Sequence, residues 1–313
     1  MRRVPEGCGL TVDVVTVGET MAVFRGPGPL RLGGRLDLSI AGAESNVAIG
    51  LARLGHSVRW VGRVGDDELG QLVERTLRAE NVDTSAVVTD PERPTGLMLR
   101  EQRIGHTARV SYYRAGSAGR GIEMADVLPS LPGARILHLT GITTALGSPA
   151  AEAVAEAARA AHAAGTTVCF DVNHRSRLWS AEDARTGLRP LLGDVDILVA
   201  SEDELPILAD DVRDLPVPLV VVTSGAAGAR AHSAGDVVEI PALPVPVVDL
   251  VGAGDAFVAG LLSATLDGLP LEQRLGRAVM VAAFAVAHDG DWEGLPTRAE
   301  LTLLDGGPEA TVR

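Results

Sequence analysis

"DLVGAGDAFVAGLL", residues 249–262, sets two glycines, an alanine and a carboxylate where a long apolar helix begins. Glycine is costly inside a helix, so its place at this entry points to a backbone conformation or a close approach that a side chain would forbid. A dinucleotide would explain it, and so would the phosphates of a mononucleotide. The dinucleotide fingerprint needs G-x-G-x-x-G after a strand, with an acidic residue ~20 positions on at a second strand. Here Gly252 and Gly254 are followed by Phe257 where the third glycine belongs, and the pattern beyond is helical, with no further sheet. The phosphate reading fits better. A Gly-Ala-Gly entry aims free N–H groups at one spot, and the helix dipole favours negative charge there. Asp255 would repel that charge unless it removes a proton from a hydroxyl attacking the terminal phosphate, a role worth ~10²–10⁴ in rate. An Asp that merely stabilises the first turn accounts for the acid and leaves the glycines unexplained.

Working outward, the apolar periodicity alternates between two and 3.6 residues. "VVTVG" (14–18) is a β-branched run ending in glycine, residues 44–55 have helical spacing with Gly55 as a C-terminal stop, 58–65 reads as a strand and 67–82 as an amphipathic helix. Further on come strand 135–140, helix 149–164, strand 167–172, helix 181–192, strand 196–200, a short helix 202–209, strand 218–223, a hairpin around "SAGD" (233–236), and helices 254–266 and 271–288. Such alternation implies βαβ units and a mostly parallel sheet covered on both faces. Two segments break it, near 25–42 and 94–115. The first holds a half-exposed strand pair at 30–40, and the second is a hairpin turning at "RIGH" (103–106). Both read as a small sheet projecting over the carboxyl edge of the main one as a lid, or else as plain edge strands. The whole, residues 1–313, is expected to be one domain, since no linker, repeat or low-complexity tract divides it.

Composition narrows the chemistry. The net charge of −13 disfavours nucleic acid and anionic membranes as partners. Two cysteines, Cys8 and Cys169, are too few for a disulfide framework and lack the neighbours of a zinc site. No apolar stretch follows the charged N-terminus, and the longest apolar run, 278–287, is short of the ~20 residues that span a bilayer, so a cytoplasmic protein is expected. The chain has no lysine at all. Walker A, protein-kinase and Schiff-base chemistries are thereby excluded together.

With "DLVGAGDAFVAGLL" read in this way, the stretch resembles the C-terminal signature of the PfkB, or ribokinase-like, carbohydrate kinases. "AGAESNVAIGLARLG" (41–55) resembles that family's N-terminal signature. The resemblance implies an αβα sandwich with a mostly parallel central sheet and a β lid. It implies ATP and Mg²⁺ as cofactors, Asp255 as general base, and Gly252, Ala253 and Gly254 as an anion hole. "TSGAAGA" (223–229) is similar to the family's nucleotide loop, with Thr223, Gly225 and Gly228 in place. "SEDE" (201–204) stands where the family has N-x-x-E. Glu204 would then organise Mg²⁺ through water, while Ser201 departs from the usual Asn, which leaves a direct metal role for residue 201 open.

Within the family, 42–46, 112–119, 137–146, 171–179 and 289–294 are similar to 2-keto-3-deoxygluconate kinases. That substrate carries a carboxylate, which calls for arginine. Tyr112 and Arg114 stand two apart on a strand and share a face, with Tyr113 turned away. Arg175 follows a strand's carboxyl end, where α/β sheets bind ligands. By resemblance both arginines touch substrate, together with Gly42, Asn46, Tyr112 and Asp291. The alternatives are a solvated Arg114, an internal salt bridge for Arg175 and a solvated Asp291; Arg177 reads as structural. A kinase for a neutral sugar such as fructose or ribose is the close rival, a non-catalytic sugar sensor a distant one, and a nucleotide-binding oxidoreductase a weaker one still. A homo-oligomer through the lid's apolar face is the expected assembly.

Overall fold

The computed structural model describes residues 11–104 and 107–304. Cys8 and the tip of the expected hairpin, Gly105 and His106, lie outside the described residues. Short runs of Val, Ile and Leu punctuated by Gly and Pro form thirteen strands: β1 (Val14–Val17), β2 (Met21–Gly26), β3 (Asp37–Ala41), β4 (Val58–Gly65), β5 (Val87–Asp90), β6 (Leu97–Ile104), β7 (Thr107–Tyr113), β8 (Ile136–Thr140), β9 (Thr167–Asp171), β10 (Ile197–Ser201), β11 (Leu219–Thr223), β12 (Ala229–Ser233) and β13 (Asp236–Ile240). Helices of two turns or more are α1 (Ala43–Arg53), α2 (Glu68–Ala79), α3 (Ser148–Ala163), α4 (Ala181–Leu188), α5 (Ala253–Leu266) and α6 (Leu271–Val286).

Nine strands form one sheet in the order β13-β12-β11-β10-β9-β8-β1-β4-β5. The seven from β11 to β5 are parallel, and β12 and β13 add an antiparallel edge. Successive residues face opposite sides of a strand. Val14 therefore packs into one core while Val15 and Val17 pack into the other, and Val199 and Val221 are divided from Leu198 and Val220 in the same way. Residues of α1, α2, α5 and α6 complete the first core, and residues of α3 and α4 the second. Each fully buried Val or Leu contributes ~1.5–3 kcal/mol. The chain runs outward from β1 in both directions, so β1 and β8 flank a topological switch point, where open α/β sheets bind ligands outside their strands' carboxyl ends.

The other four strands form a separate sheet, β3-β2-β6-β7. Met21, Val23, Ala41 and Met98 make its own small core, with Val110 against them. Here the sequence expectation needs correcting. Residues 30–40 are not a strand pair, and the first lid segment begins at Met21, before the expected 25. Pro27 and Pro29 stop the strand, residues 30–32 make a 3₁₀ turn, and Gly33 and Gly34 take φ of 70° and 121°. The one strand left in that span, β3, pairs back onto β2. The expected helix 202–209 shrinks to Leu205–Leu208.

Candidate active site

A cavity of about 1100 Å³ lies between the carboxyl edge of the large sheet and the lid. Asp171, Ser201 and Thr223, the last residues of β9, β10 and β11, line it from below. Met98, Val110, Tyr112 and Arg114 line it from the lid, and Gly252, Gly254 and Asp255 from the start of α5.

Gly252 caps α5 in the left-handed conformation, φ 75° and ψ −4°. A Cβ at this position would fall 1.9 Å from the Asp291 carbonyl oxygen, so no other residue fits without moving the backbone. The Ala256 N–H closes the first turn onto the Gly252 carbonyl at 2.8 Å. The N–H groups of Gly254 and Asp255 precede any carbonyl a full turn back and point out of the helix end. The Asp255 side chain is buried there. Asn46 Nδ2 donates to its Oδ2 at 2.7 Å and Asn173 Nδ2 to its Oδ1 at 3.4 Å. Burial pushes its pKa up to about 6, against the pull of the Asn46 bond and the Arg175 charge. Asn173 sits in the left-handed region, φ 38°, and also donates to Asp171 Oδ2 at 3.0 Å. Burial raises Asp171 well above the carboxylate range, and the charges of Glu204 and Asp255 raise it further.

The lid side is organised by ion pairs. Tyr112 and Arg114 do share the cavity face, with the Arg114 guanidinium 6.0 Å from the Tyr112 ring centroid. Arg114 is not solvated. It is 8% exposed and paired with the buried Glu19, which also accepts from the Ser117 hydroxyl. Arg175 is the reverse, exposed and with no side-chain hydrogen bond or ion pair among the described residues, so the internal salt bridge weighed for it is absent. Arg177 donates to the Val110 carbonyl at 2.5 Å, tying the loop after β9 to the lid. Asp291 is buried rather than solvated, and burial pushes it up to about 7. Gly42 caps α1, and a Cβ on it would meet the Glu19 carbonyl at 2.5 Å.

Beside the ends of β9 and β10, Glu204 Oε1 accepts the His174 N–H at 2.6 Å and Oε2 the Ser201 N–H at 2.8 Å. Glu204 also lines the cavity, and a carboxylate oxygen that accepts one hydrogen bond can accept a second, which suits a water in a metal's shell. Among the described residues no three His, Cys, Asp or Glu are grouped to hold a metal directly. Ala253, Gly225 and Gly228 are not among the residues lining the cavity. Cys169 is buried in the sheet, and burial raises its thiol. No helix among the described residues is long and apolar enough to cross a membrane.

Sequence reasoning missed four groups here: Glu19, Asp171, Asn173 and Arg100. Asp171 and Asn173 were legible in principle, since "DVN" ends a strand. Arg100 shares the alternation of "LMLREQ" with Met98, but nothing local shows that it pairs with Asp249, at 2.6 Å.

Known proteins match along nearly the whole chain. The family model for pfkB family carbohydrate kinases matches residues 12–298. A 2-dehydro-3-deoxygalactonokinase of Haloferax volcanii is 36% identical, covering 95% of this chain and 98% of that protein. A 2-dehydro-3-deoxygluconokinase of Bacillus subtilis is 34% identical over 93% and 95% of the two chains. A fructokinase of Klebsiella pneumoniae is also 34% identical, over 86% and 92%. Among solved structures, a PfkB protein of Polaromonas superposes with a TM-score of 0.85 at 36% identity, covering 93% of this chain and 99% of that one. An uncharacterised sugar kinase of Pyrococcus horikoshii in complex with ATP superposes with a TM-score of 0.83 at 29% identity, over 92% and 97%.

Proposed function

This chain belongs to the pfkB family of carbohydrate kinases, phosphotransferases with an alcohol group as acceptor, and on that premise we propose that it phosphorylates a primary hydroxyl of 2-keto-3-deoxygluconate with ATP. The observation that carries the reading is Asp255, a buried carboxylate raised to about 6 at the mouth of a glycine-capped helix. Near neutral pH it is ionised, yet basic enough to take a proton. As the substrate oxygen forms its bond to the terminal phosphorus, its proton passes to Asp255, and the bond from phosphorus to the departing ADP oxygen breaks. The outward N–H groups of Gly254 and Asp255, set by the Gly252 turn, stabilise charge gathering on the transferred group. Asn46 and Asn173 hold Asp255 aimed. Glu204 would hold a water of a bound Mg²⁺, which supplies charge neutralisation between phosphates when present. Ser201, Thr223, Gly225 and Gly228 would border the nucleotide.

An acid substrate is favoured because Arg175 faces the cavity without a partner of its own. Gly42, Tyr112 and Asp291 would bind the polyol, with Arg114 supporting them from its pair with Glu19. The fructokinase relative keeps a neutral sugar as the second reading. Leu38 and Tyr113, 48% and 60% exposed on the lid, support a homo-oligomer through that sheet.

The test is ATP consumption with Mg²⁺ on 2-keto-3-deoxygluconate, its galactonate epimer, fructose, ribose and gluconate. Preference for the keto-deoxy acids is expected, with Asp255→Asn folded and ~10²-fold or more slower. Preference for a neutral sugar removes the carboxylate site. Near-normal turnover by Asp255→Asn removes the base.

A further inference from the structure

Arg100 lies on β6 facing the cavity, 5% exposed. Burying such a charge is expensive, and an apolar pair of similar size is often as stable or more so, so stability alone is a weak reason for an arginine at this position. Its partner shows what it is tied to. Asp249 takes the Arg100 guanidinium on Oδ2 at 2.6 Å, the Val251 N–H on Oδ1 at 3.2 Å and the Gly290 N–H on Oδ2 at 3.3 Å. One carboxylate thus joins the segment leading into Gly252 to the turn whose Asp291 carbonyl presses against Gly252. Arg100 brings a lid strand into that knot. Its second terminal nitrogen, Nη1, is buried without a hydrogen-bond partner, and so is Asp291 Oδ2. Both residues line the cavity. A buried donor and a buried acceptor left open beside one cavity are costly until a ligand fills them. A sugar hydroxyl serves both kinds, accepting from an N–H and donating its proton to a carboxylate.

We propose, on the reading of residues 252–254 as the phosphate loop, that Arg100 is a positioning residue that couples acceptor binding under the lid to the placement of that loop. A hydroxyl or keto oxygen on Nη1 fixes the guanidinium. The guanidinium holds Asp249, and Asp249 holds the backbone that enters Gly252. The acceptor's arrival thereby sets the N–H groups for phosphoryl transfer, where an error of ~1 Å costs ~10²-fold in rate.

The test uses the full-length protein with whichever sugar the wild type phosphorylates best, comparing R100M, R100K, D249N and the R100M/D249N double variant, each checked for a cooperative melt. In R100M kcat is expected to fall ~10²-fold while KM for ATP moves less than about threefold. R100K, which keeps a charge beside Asp249, regains part of the loss. The double variant is no slower than R100M, because the two residues act as one unit. Where R100M fails to fold, the double variant carries the same reading, since it leaves neither the Asp249 carboxylate nor the Arg100 guanidinium buried without a partner. Folded R100M or D249N within about threefold of wild-type kcat overturns the proposal, as do losses that multiply in the double variant. A wild-type preference for a neutral sugar refutes the acid substrate alone, and the Arg100 losses are then read on that sugar.

Discussion

The cavity's two walls are held in place by different means. The wall at the entry to α5, which we propose holds the phosphates, is made of backbone: strand ends, a left-handed glycine and the first turn of α5. The lid wall is made of side-chain charges neutralised in pairs, Arg114 with Glu19, Arg100 with Asp249 and Arg25 with Glu293. Backbone geometry is rigid and fixes direction, which suits N–H groups in the role proposed for them, meeting a transition state. Ion pairs position a sheet that has only a small core of its own. The difference also sorts the arginines. Those already paired shape the wall, and Arg175, without an ion-pair partner among the described residues, keeps its charge for a ligand.

Substitutions can break this contrast. The largest effect on stability is expected from Arg114→Ala, which strands the buried Glu19 carboxylate, a loss of ~3–5 kcal/mol for breaking such a pair. Denaturant unfolding measures it, and an unchanged midpoint would show that the pair does not hold the lid. Next is Gly252→Ala, where a left-handed φ and a Cβ 1.9 Å from the Asp291 oxygen act together. The conformational strain alone is ~1–3 kcal/mol. Gly254→Ala meets nothing within 4 Å and should melt like the wild type. Equal melting losses in the two glycine variants would contradict a wall fixed at Gly252. Arg175→Ala should leave the melt unchanged and raise KM for the sugar acid ~10-fold, with a neutral sugar hardly affected. A rise for both sugars alike would make Arg175 a contact for the shared polyol.

The smallest effect is in pH dependence. Burial raises Asp255 to about 6 and Asp291 to about 7 from 3.8. The folded state therefore holds protons that the unfolded state releases. Stability from these groups is complete below 3.8 and is lost as pH rises through about 6 and about 7. Asp291→Asn should melt above the wild type at pH near 8 and match it at pH near 3. Turnover runs the other way and should rise as pH passes about 6, where Asp255 ionises. A flat acid limb would separate Asp255 from the proton transfer.

Much of the large sheet was legible because buried strands and amphipathic helices differ in period, and most expected elements appear within a residue or two of their places. The lid's first segment was misread because "LRLGGRLDL" alternates on paper, while two positive-φ glycines break it in space. Asp255 and the Gly252 turn were readable for the same reason as the sheet. Helix starts and left-handed turns are local demands, written in the residue type at the position. Asp291 was placed by resemblance, but its burial was not visible in a loop of polar residues.

The sequence by itself determined the αβα architecture, the glycine entry to α5, and the placing of Tyr112 and Arg114, at and just past the end of β7, on one side of the chain. Each follows from backbone preference or strand alternation over a few residues. The tertiary structure alone decided which arginine charges are spent and which are free. Arg114 meets Glu19, Arg100 meets Asp249 and the Arg175 side chain forms no ion pair among the described residues, because each pairing depends on distant segments brought together by the fold. A side chain's charge is fixed by its identity, but its neutralisation is set by its neighbours in space.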